Sequence, residues 1–343
     1  MAADHRLYLD HNATAPLRPE AREALTQALA LTGNASSIHR EGRQARALLE
    51  AARRQLADLL GRMPAALHFT ASATEANNTL LRGLELAGRR PRLLLSAGEH
   101  PSVLAAAPEG ERLALRPDGR LDLADLERAL AGARPALVAL QAANNETGVC
   151  QDLAAAATLC RAAGAWLHVD AVQAAGRLAP AAWSDAADSL ALSSHKLGGP
   201  QGAGALVMLR SEGTEVTLRP LLAGGGQESR RRAGTEPVAV IAGFGAAAEA
   251  AARDREAAAL RLQGLRRELE EGLRALEPET AIFGEAAPRL PNTTCFAVPG
   301  VKAETALIAL DLAGVAVSSG AACSSGRVER SHVLTAMGAA PDL

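Results

Sequence analysis

Apolar positions recur at helical spacing near the start of the chain, in residues 20–31 (EAREALTQALAL) and 41–61 (EGRQARALLEAARRQLADLLG). Apolar residues three or four positions apart are typical of an amphipathic helix. Short apolar runs then alternate with helical stretches as far as about residue 209. The runs predicted to be strands are 66–70, 92–96, 112–116, 135–140, 165–170, 188–193 and 203–209. This alternation predicts an α/β protein with a mostly parallel sheet covered on both faces.

A long stretch rich in Ala, Arg and Glu, residues 238–276, predicts a single helix that leads into a smaller C-terminal unit. That unit has strand-like runs at 292–298 and 315–319, with a helical pattern between them. We therefore expect a large domain over residues 16–255 and a smaller α+β domain over residues 256–343. Residues 1–15 are expected to pack with the small domain.

Polar side chains follow five of the predicted strands, at the points where the strands end. They are Thr74, His100, Asn144, Asn145, Asp170, Gln173, Ser193, Ser194, His195 and Lys196. Each has an ordinary explanation when taken alone, since Asp and Thr often cap helices and a lone His is more often structural than catalytic. Ligands of open α/β sheets bind beyond the carboxyl ends of strands, so five polar strand ends on one edge indicate a binding site.

Lysine is almost absent from the chain, because 36 residues are Lys or Arg and only Lys196 and Lys302 are lysines. A Schiff base with an aldehyde needs a primary amine that can lose its proton, which a guanidinium cannot do. Lys196 follows a predicted strand and precedes a glycine-rich turn. Lys302 begins a predicted amphipathic helix, where we expect it to face solvent. Lys196 is therefore the candidate partner of a carbonyl group.

The residues around Lys196 fit the carbonyl of pyridoxal phosphate. That cofactor needs a lysine imine, an acid beside its ring nitrogen, donors for its phosphate and a group on its ring face. Asp170 can hold the ring nitrogen protonated, and Thr74 with the amides of its helix suits the phosphate. Ser193 and His195 can add phosphate donors, and His100 can stack on the ring.

The composition of the chain argues against several classes of function. With 36 cationic and 38 anionic residues the net charge is −2, which gives no electrostatic reason to expect direct binding to nucleic acid or to an anionic membrane. No apolar stretch approaches the ~20 residues of a membrane span, and the first residues do not resemble a secretory signal. The cysteines, none in a C-x-x-C pair, are Cys150, Cys160, Cys295 and Cys323. This usage predicts a reducing cytoplasm and no resident metal. A zinc site of His168, Asp170 and His195 lacks ligand spacing.

Taken together, the motifs resemble the pyridoxal-phosphate-dependent cysteine desulfurases of the nitrogen-fixation and iron–sulfur-assembly type, in the class V aminotransferase superfamily of fold type I. The resemblance covers essentially the whole chain. It rests on YLDHNATAP, GNASSIHREGR, FTASATEANN, GEHPSVL, NNETGV, HVDAVQAAG, SSHKLGGPQGAGAL, GGGQESRRRAGTEPV and SSGAACSSGRVERSHVL. It implies a fold type I transferase with a large and a small domain.

The resemblance also implies a role for each matching residue. Lys196 would carry the imine, His100 would stack on the ring and move protons, and Asp170 would pair with the ring nitrogen. Gln173 and Asn145 would lie near the ring hydroxyl. The residues implied to hold the phosphate are Ala73, Thr74, Ser193 and His195, joined by Thr235 of the partner subunit. A homodimer with shared active sites is therefore implied.

Cys323 distinguishes the resembled family from its relatives. Gly and Ser flank it on both sides, which favours a solvent-reachable loop, whereas Cys295 lies in an apolar run. The family resemblance implies that Lys196 removes the Cα proton of bound L-cysteine and that the Cys323 thiolate attacks the substrate sulfur. Alanine leaves, and the persulfide is passed to an iron–sulfur scaffold or another sulfur acceptor. With such a partner Cys323 could also ligate an iron–sulfur cluster transiently.

One departure concerns the end of the chain, AMGAAPDL. The resembled family continues beyond this point and supplies there an arginine for the substrate carboxylate, a role that no residue here can be assigned. We expect the sequence to be an incomplete version of the protein rather than a natural truncation. The alternatives are a selenocysteine lyase, an aminotransferase acting on a small amino acid, and a non-catalytic scaffold.

Overall fold

The computed structural model describes residues 6–132, 134–210, 215–320 and 330–340. Its α-helices are α1 (Pro19–Leu29), α2 (Arg40–Leu60), α3 (Ala73–Gly83), α4 (Pro101–Leu104), α5 (Leu123–Leu130), α6 (Leu153–Ala162), α7 (Val238–Leu276), α8 (Ala303–Leu312) and α9 (His332–Ala336). Its strands are β1 (Leu7–Tyr8), β2 (Leu67–Thr70), β3 (Leu84–Leu86), β4 (Arg92–Ser96), β5 (Glu111–Leu113), β6 (Ala136–Gln141), β7 (Trp166–Asp170), β8 (Ser189–Ser193), β9 (Gly204–Met208), β10 (Val216–Leu218), β11 (Ala281–Ile282), β12 (Phe296–Ala297) and β13 (Val315–Ala316).

The largest sheet within these ranges has seven strands in the order β2-β9-β8-β7-β6-β4-β5. The pairs β8-β7, β7-β6, β6-β4 and β4-β5 are parallel, whereas β9 is antiparallel to both β8 and β2. β2 therefore points the same way as the five parallel strands, and β9 alone opposes them. The mostly parallel sheet expected from the sequence is confirmed.

Helices bury both faces of this sheet, which explains why its strands are continuous apolar runs. All six residues of β6 are buried, and alternate side chains enter opposite layers. Val138 and Leu140 pack into the layer that holds the buried faces of α2 and α7. Leu137 and Ala139 pack into the layer formed by α3 and α4. Period-two alternation along one strand thus supplies both cores.

α7 begins and ends at the residues that the sequence pattern predicts. Its first part packs on α1 and α2 with buried residues from Ile241 to Ala251, and its second part is largely exposed. The predicted domain boundary after residue 255 falls inside this helix and stays a prediction. β1 pairs in parallel with β13, which joins the N-terminal segment to the C-terminal elements. Within the described ranges, no helix has the length and apolar character needed to cross a membrane.

The C-terminal strands are shorter than the sequence pattern predicts. The predicted run 292–298 contains only the two strand residues of β12, and the run 315–319 only those of β13. Polar side chains in the first run bond elsewhere: Thr293 Oγ1 accepts from Asn12, and Thr294 Oγ1 donates to Glu270. These side-chain contacts tie the backbone to the neighbouring elements instead of extending the strand ladder.

Candidate active site

The carboxyl ends of β2, β4, β6, β7 and β8 lie along one edge of the sheet, because these strands run in the same direction. The predicted site residues that follow these strands therefore share that edge. They are Ala73, Thr74, His100, Asn145, Asp170, Gln173, Ser193, His195 and Lys196. The convergence of five strand ends expected from the sequence is confirmed.

The start of α3 is built to leave amide groups available. Ser72 caps the helix by accepting a 3.1 Å hydrogen bond from the amide of Glu75, whose carboxylate accepts from the amide of Ala71 at 2.8 Å. The amides of Ala73 and Thr74 belong to the first turn and have no intrahelical acceptors. Such a helix terminus attracts anions, and phosphate in particular.

Gly204 brings this helix start against the sheet. A Cβ at position 204 would lie 2.4 Å from the carbonyl carbon of Ser72 and 2.7 Å from the amide nitrogen of Ala73, so only glycine allows the approach. Gly204 also pairs with Ser193 across the β8-β9 ladder. Ser193, which is buried, is thus placed beside the first turn of α3. Three of the predicted phosphate residues therefore lie together.

His195 lies in the short 3-10 helix Ser194–Lys196 that follows β8. Its Nδ1 lies 3.2 Å from Thr14 Oγ1. Burial, reinforced by the nearby charge of Lys196, lowers the pKa of His195 to about 4. The imidazole is therefore neutral at pH 7 and can donate one hydrogen bond while accepting another.

Lys196 reaches from the same turn toward the N-terminal segment. Its Nζ donates to the carbonyl oxygen of Ala13 at 2.7 Å and also to that of Asn12. The amide of Ala15 donates to the carbonyl of His195, so the two segments run side by side. The ammonium group is half-buried and held by backbone oxygens at the sheet edge, where a carbonyl ligand could replace them.

Asn12 joins several of the predicted site residues. Its backbone oxygen accepts from Gln173 Nε2 at 3.1 Å as well as from Lys196. Its side-chain amide donates to the carbonyl of Asn145 at 3.0 Å, and its Oδ1 accepts from Arg177 at 2.9 Å. The N-terminal segment thus holds Gln173, Asn145 and Lys196 in one connected set.

Asp170 ends β7 and lies at the centre of a hydrogen-bond chain. Oδ2 accepts from Asn77 Nδ2 at 2.9 Å, and Oδ1 accepts from the amide of Val172 at 3.0 Å. Asn77 Nδ2 also donates to Ser102 Oγ at 3.0 Å, and Ser102 Oγ lies 2.9 Å from His100 Nδ1. Asp170 and His100 are thereby linked through Asn77 and Ser102.

The hydrogen-bond pattern assigns the proton on His100. Nδ1 accepts from the amide of Ser102 at 3.1 Å, so in the neutral ring the proton sits on Nε2. Burial lowers the pKa of His100; the charge of Asp170 opposes this shift, whereas those of Lys196 and His332 add to it. Asp170 and Lys196 therefore lie close enough to His100 for their charges to act on it. A neutral His100 can stack on a ring or relay a proton there.

A second group of hydrogen bonds fixes the orientation of the Asn77 side chain. His168 Nε2 lies 2.9 Å from Asn77 Oδ1, and His168 Nδ1 lies 2.9 Å from Ser189 Oγ. Burial lowers the pKa of His168 to about 3, so the ring is neutral. Asn77 Nδ2 is the donor to Asp170, hence Oδ1 must accept from His168. These hydrogen bonds set the orientation of the Asn77 amide.

Glu99 is a buried acid beside the same site. Its Oε1 accepts from the amide of Gln141 at 2.5 Å, whereas Oε2 is buried and has no hydrogen-bond partner among the described atoms. Burial, with a contribution from the nearby charge of Asp170, raises the pKa of Glu99 to about 8. Glu99 is therefore mainly neutral at pH 7.

Thr235 is exposed. Its segment is tied to the start of α3, because Arg232 Nε donates to Glu75 Oε1 at 2.9 Å. Lys302 precedes α8 and is exposed, as the sequence predicts. Cys323 lies outside the described residues.

The chain matches a known protein family over almost its whole length. Residues 7–339 match the family model described as aminotransferase class-V. A cysteine desulfurase of Cereibacter sphaeroides is 41% identical over 343 residues, covering 97% of this chain and 87% of that protein. A cysteine desulfurase of Sinorhizobium fredii is also 41% identical, with 97% and 87% covered. The chain belongs to the aminotransferase class-V family.

Solved structures agree with this placement in the class-V family. The NifS-like protein from Rickettsia africae superposes with a TM-score of 0.88 at 34% identity, covering 98% of this chain and 91% of that one. The fold type I architecture expected from the sequence is confirmed by this likeness and by the central sheet described above.

The site fits the pyridoxal phosphate implied by the resemblance to this class-V group. The close approach at Gly204 leaves two helix amides and Ser193 around one position suited to a phosphate. Among the described residues, the Asp170 carboxylate accepts from two neutral donors, so it can still pair with a protonated ring nitrogen. Lys196 supplies a primary amine at the same edge. These groups can bind an anion, a cationic ring nitrogen and an aldehyde.

Sequence reasoning missed three residues of the site. Asn77, Asn12 and Glu99 lie inside stretches that carry the family resemblance, but no role was assigned to them. A signal existed for Asn77, because it is a polar residue on the buried face of a helix whose neighbours are Ala76 and Leu80. Asn12 has no such signal, because its contacts depend on long-range packing.

Proposed function

We propose that this chain is a cysteine desulfurase that converts L-cysteine to L-alanine and retains the sulfur as a persulfide on Cys323. The observation that carries the proposal is the chain from His100 through Ser102 and Asn77 to Asp170, on the edge that also presents Lys196. An acid, a neutral imidazole and an amine in one space suit a pyridoxal phosphate enzyme.

The residues have distinct tasks under this proposal. Pyridoxal phosphate, when bound, supplies an electron sink for the charge that develops at the substrate Cα. Asp170, oriented by Asn77, keeps the ring nitrogen protonated, and His100 covers the ring face. Lys196 would hold the cofactor's aldehyde, and its amine would take the proton from the substrate Cα.

Ala73, Thr74, Ser193 and His195 hold the phosphate in this proposal, and Gln173 and Asn145 lie near the ring hydroxyl. Support comes from the free amides at the start of α3 and from the contact that Gly204 allows. Further support comes from Asn12, which Gln173, Asn145 and Lys196 all contact. Asn12 therefore positions this side of the site.

The sulfur atom passes from the substrate cysteine to Cys323. The Cys323 thiolate forms a bond to the substrate sulfur, the Cβ–S bond breaks with its electron pair going to Cβ, and a proton then completes alanine. The other described thiols are poor candidates, because burial raises the pKa of Cys150 to about 11 and those of Cys160 and Cys295 to about 12. Only a thiolate is a good nucleophile.

We propose a homodimer in which Thr235 reaches the phosphate site of the partner subunit. Thr235 is exposed, and nearby Leu221 and Leu222 are 42% and 43% exposed, as expected of apolar side chains that a partner covers. A hybrid dimer of Lys196→Ala and Thr235→Ala subunits tests this arrangement. If Thr235 acts across the dimer, the hybrid contains one intact site with wild-type cofactor affinity. If it acts within its own subunit, no site is intact.

The direct test is an assay that quantifies alanine and sulfide from L-cysteine, with and without added pyridoxal phosphate. We expect Lys196→Ala to lose turnover and Lys302→Ala to keep it. Cys323→Ala should keep the bound cofactor and its visible absorbance but release no sulfide. Sulfide release by Cys323→Ala at the wild-type rate would refute the persulfide role and favour a lyase or an aminotransferase. Bound cofactor with no wild-type turnover would indicate a scaffold.

The sulfur acceptor is proposed to be an iron–sulfur scaffold or another sulfur-accepting protein. A cytoplasmic location suits this chemistry, since a reducing compartment keeps cysteine thiols reduced and Cys150, Cys160 and Cys295 are free thiols. Incubating the persulfidated protein with a candidate acceptor and measuring the masses of both proteins by mass spectrometry would identify the recipient.

A further inference from the structure

Glu146 lies in the turn after β6 and is held rigidly. Asn144 Oδ1 accepts from the amides of Glu146 at 2.9 Å and Thr147 at 2.8 Å, and the amide of Gly148 donates to the carbonyl of Asn144 at 3.0 Å. Gly148 adopts a φ of +74° and packs so closely on Thr293 that a Cβ there would lie 2.8 Å from it. The backbone that carries the half-buried Glu146 side chain is therefore held in place at the edge of the site.

The Glu146 carboxylate binds the chain just after the segment 321–329. Ser331 Oγ donates to Glu146 Oε2 at 2.5 Å. The same hydroxyl accepts from the amide of Leu334 at 3.1 Å, so its single proton is directed to the carboxylate. Burial raises the pKa of Glu146, whereas the hydrogen bond from Ser331 and the charge of His332 oppose that rise. Ser331 is only 6% exposed, so water competes little for this bond.

The same carboxylate meets the chain just before that segment. A Cβ built at Gly320 would lie 2.4 Å from Glu146 Oε2, so the backbone at 320 is packed directly on this oxygen. A neighbouring contact supports the same region, because Ser318 Oγ donates to Asp10 at 2.8 Å. On the far side, His332 Nε2 lies 2.9 Å from the carbonyl of Glu99.

We infer that Glu146 is a positioning residue whose carboxylate fixes both points of the chain between which Cys323 lies. The inference rests on the proposed function, because only there does Cys323 have a task. Ser331 donates to one Glu146 oxygen, and the backbone at Gly320 lies against the same atom, on the edge that carries Asp170 and Lys196. Glu146, which follows a strand of the large sheet, then limits how far the Cys323 sulfur can lie from the site. A misplacement of about 1 Å can cost on the order of 100-fold in rate.

The test is a single turnover of the cofactor-loaded enzyme with one equivalent of L-cysteine, in which alanine and the Cys323 persulfide are quantified by mass spectrometry. Glu146→Ala and Ser331→Ala should each slow persulfide formation by about 10- to 100-fold. The double variant should be no slower than Glu146→Ala alone, because Ser331→Ala removes a contact that Glu146→Ala already lacks. Pyridoxal phosphate affinity and the absorbance change on adding cysteine should match wild type.

Conservative variants separate positioning from folding. Glu146→Gln keeps an acceptor and Ser331→Thr keeps a hydroxyl, so both should stay within about twofold of wild type. Asp152→Ala is the matched control for the cap that Ser331 provides, because Asp152 caps α6 through the amide of Ala155 at 3.0 Å and lies outside the site. It should leave persulfide formation unchanged. A Gly320→Ala change should slow persulfide formation in wild type but not further in Glu146→Ala.

Hydrogen exchange on the cofactor-free protein gives a readout that is independent of turnover. Amides in residues 315–320 and 330–336 should exchange faster in Glu146→Ala than in wild type or Asp152→Ala. Wild-type exchange there, or wild-type persulfide formation by Glu146→Ala, would overturn the inference, as would a parallel loss of cofactor affinity. If wild-type protein formed neither alanine nor persulfide, the proposed function would be wrong. Faster exchange in Glu146→Ala than in wild type would still show that Glu146 holds these two segments.

Discussion

Replacing Glu99 by glutamine tests the assignment of a neutral acid beside the site. Burial and the charge of Asp170 raise the Glu99 pKa from its ordinary 4.5 to about 8, and Gln141 donates to the carboxyl through its amide. Glutamine has nearly the shape of the protonated acid and cannot ionise. Glu99→Gln should therefore preserve the fold and remove one titration.

The size and sign of the effect follow from linkage. Between pH 4.5 and 8 the folded protein retains the Glu99 proton whereas the unfolded chain has lost it. The folded state then binds more protons, so this group makes the free energy of unfolding fall as pH rises, by about 1.4 kcal/mol per pH unit. The stabilisation is fully present below pH 4.5 and is lost as pH rises through about 8. At pH 7 the loss is about 3 kcal/mol.

The assay is urea unfolding of the cofactor-free protein at several pH values between about 5.5 and 7.5. The free energy of unfolding of Glu99→Gln minus that of wild type should grow by about 1.4 kcal/mol for each pH unit. Glu268→Gln, an exposed change on α7, is the matched control for loss of one carboxylate. A Glu99→Gln difference that stayed flat across this range would show that Glu99 is ionised in the folded protein and would refute the reasoning.

Three further predictions concern neighbouring contacts. Asn77→Ala should lower pyridoxal phosphate affinity by about 1–3 kcal/mol, measured by absorbance titration, because Asp170 loses a buried donor; unchanged affinity would contradict the network. Gly204→Ala should weaken cofactor binding and cost about 1–3 kcal/mol in urea unfolding, because its Cβ overlaps the start of α3; wild-type values would show that the helix yields freely. The buried Arg53 guanidinium donates to both carboxylate oxygens of Glu228, at 2.8 and 2.7 Å. Arg53→Met should cost about 3–5 kcal/mol in urea unfolding by leaving that buried carboxylate without its ion-pair partner, with Arg53→Met/Glu228→Gln closer to wild type.

Much of the fold could be predicted because its signals are local. Strands buried on both faces are continuous apolar runs, and the long helix α7 is continuous in pattern from Val238 to Leu276. The edge that carries the site followed from one topological rule applied to strand ends. Lys196 stood out because a chain that uses arginine almost throughout has a lysine there.

The rest depended on contacts between distant parts of the chain. Asn12 and Gln173 are far apart in sequence, and only folding shows that one holds the other. The role of Glu146 needed the positions of Gly320 and Ser331, and the raised pKa of Glu99 needed its complete burial. The C-terminal strands were predicted too long, because side-chain hydrogen bonds replaced the expected ladder at Thr293 and its neighbours.

The central claim is that the amine of Lys196 is covalently joined to pyridoxal phosphate in the resting enzyme. The most direct measurement is peptide mass spectrometry of the protein after reconstitution with the cofactor and reduction with borohydride. The account predicts one added pyridoxyl phosphate group, located at Lys196. A modification at Lys302, or none at either lysine, would contradict it.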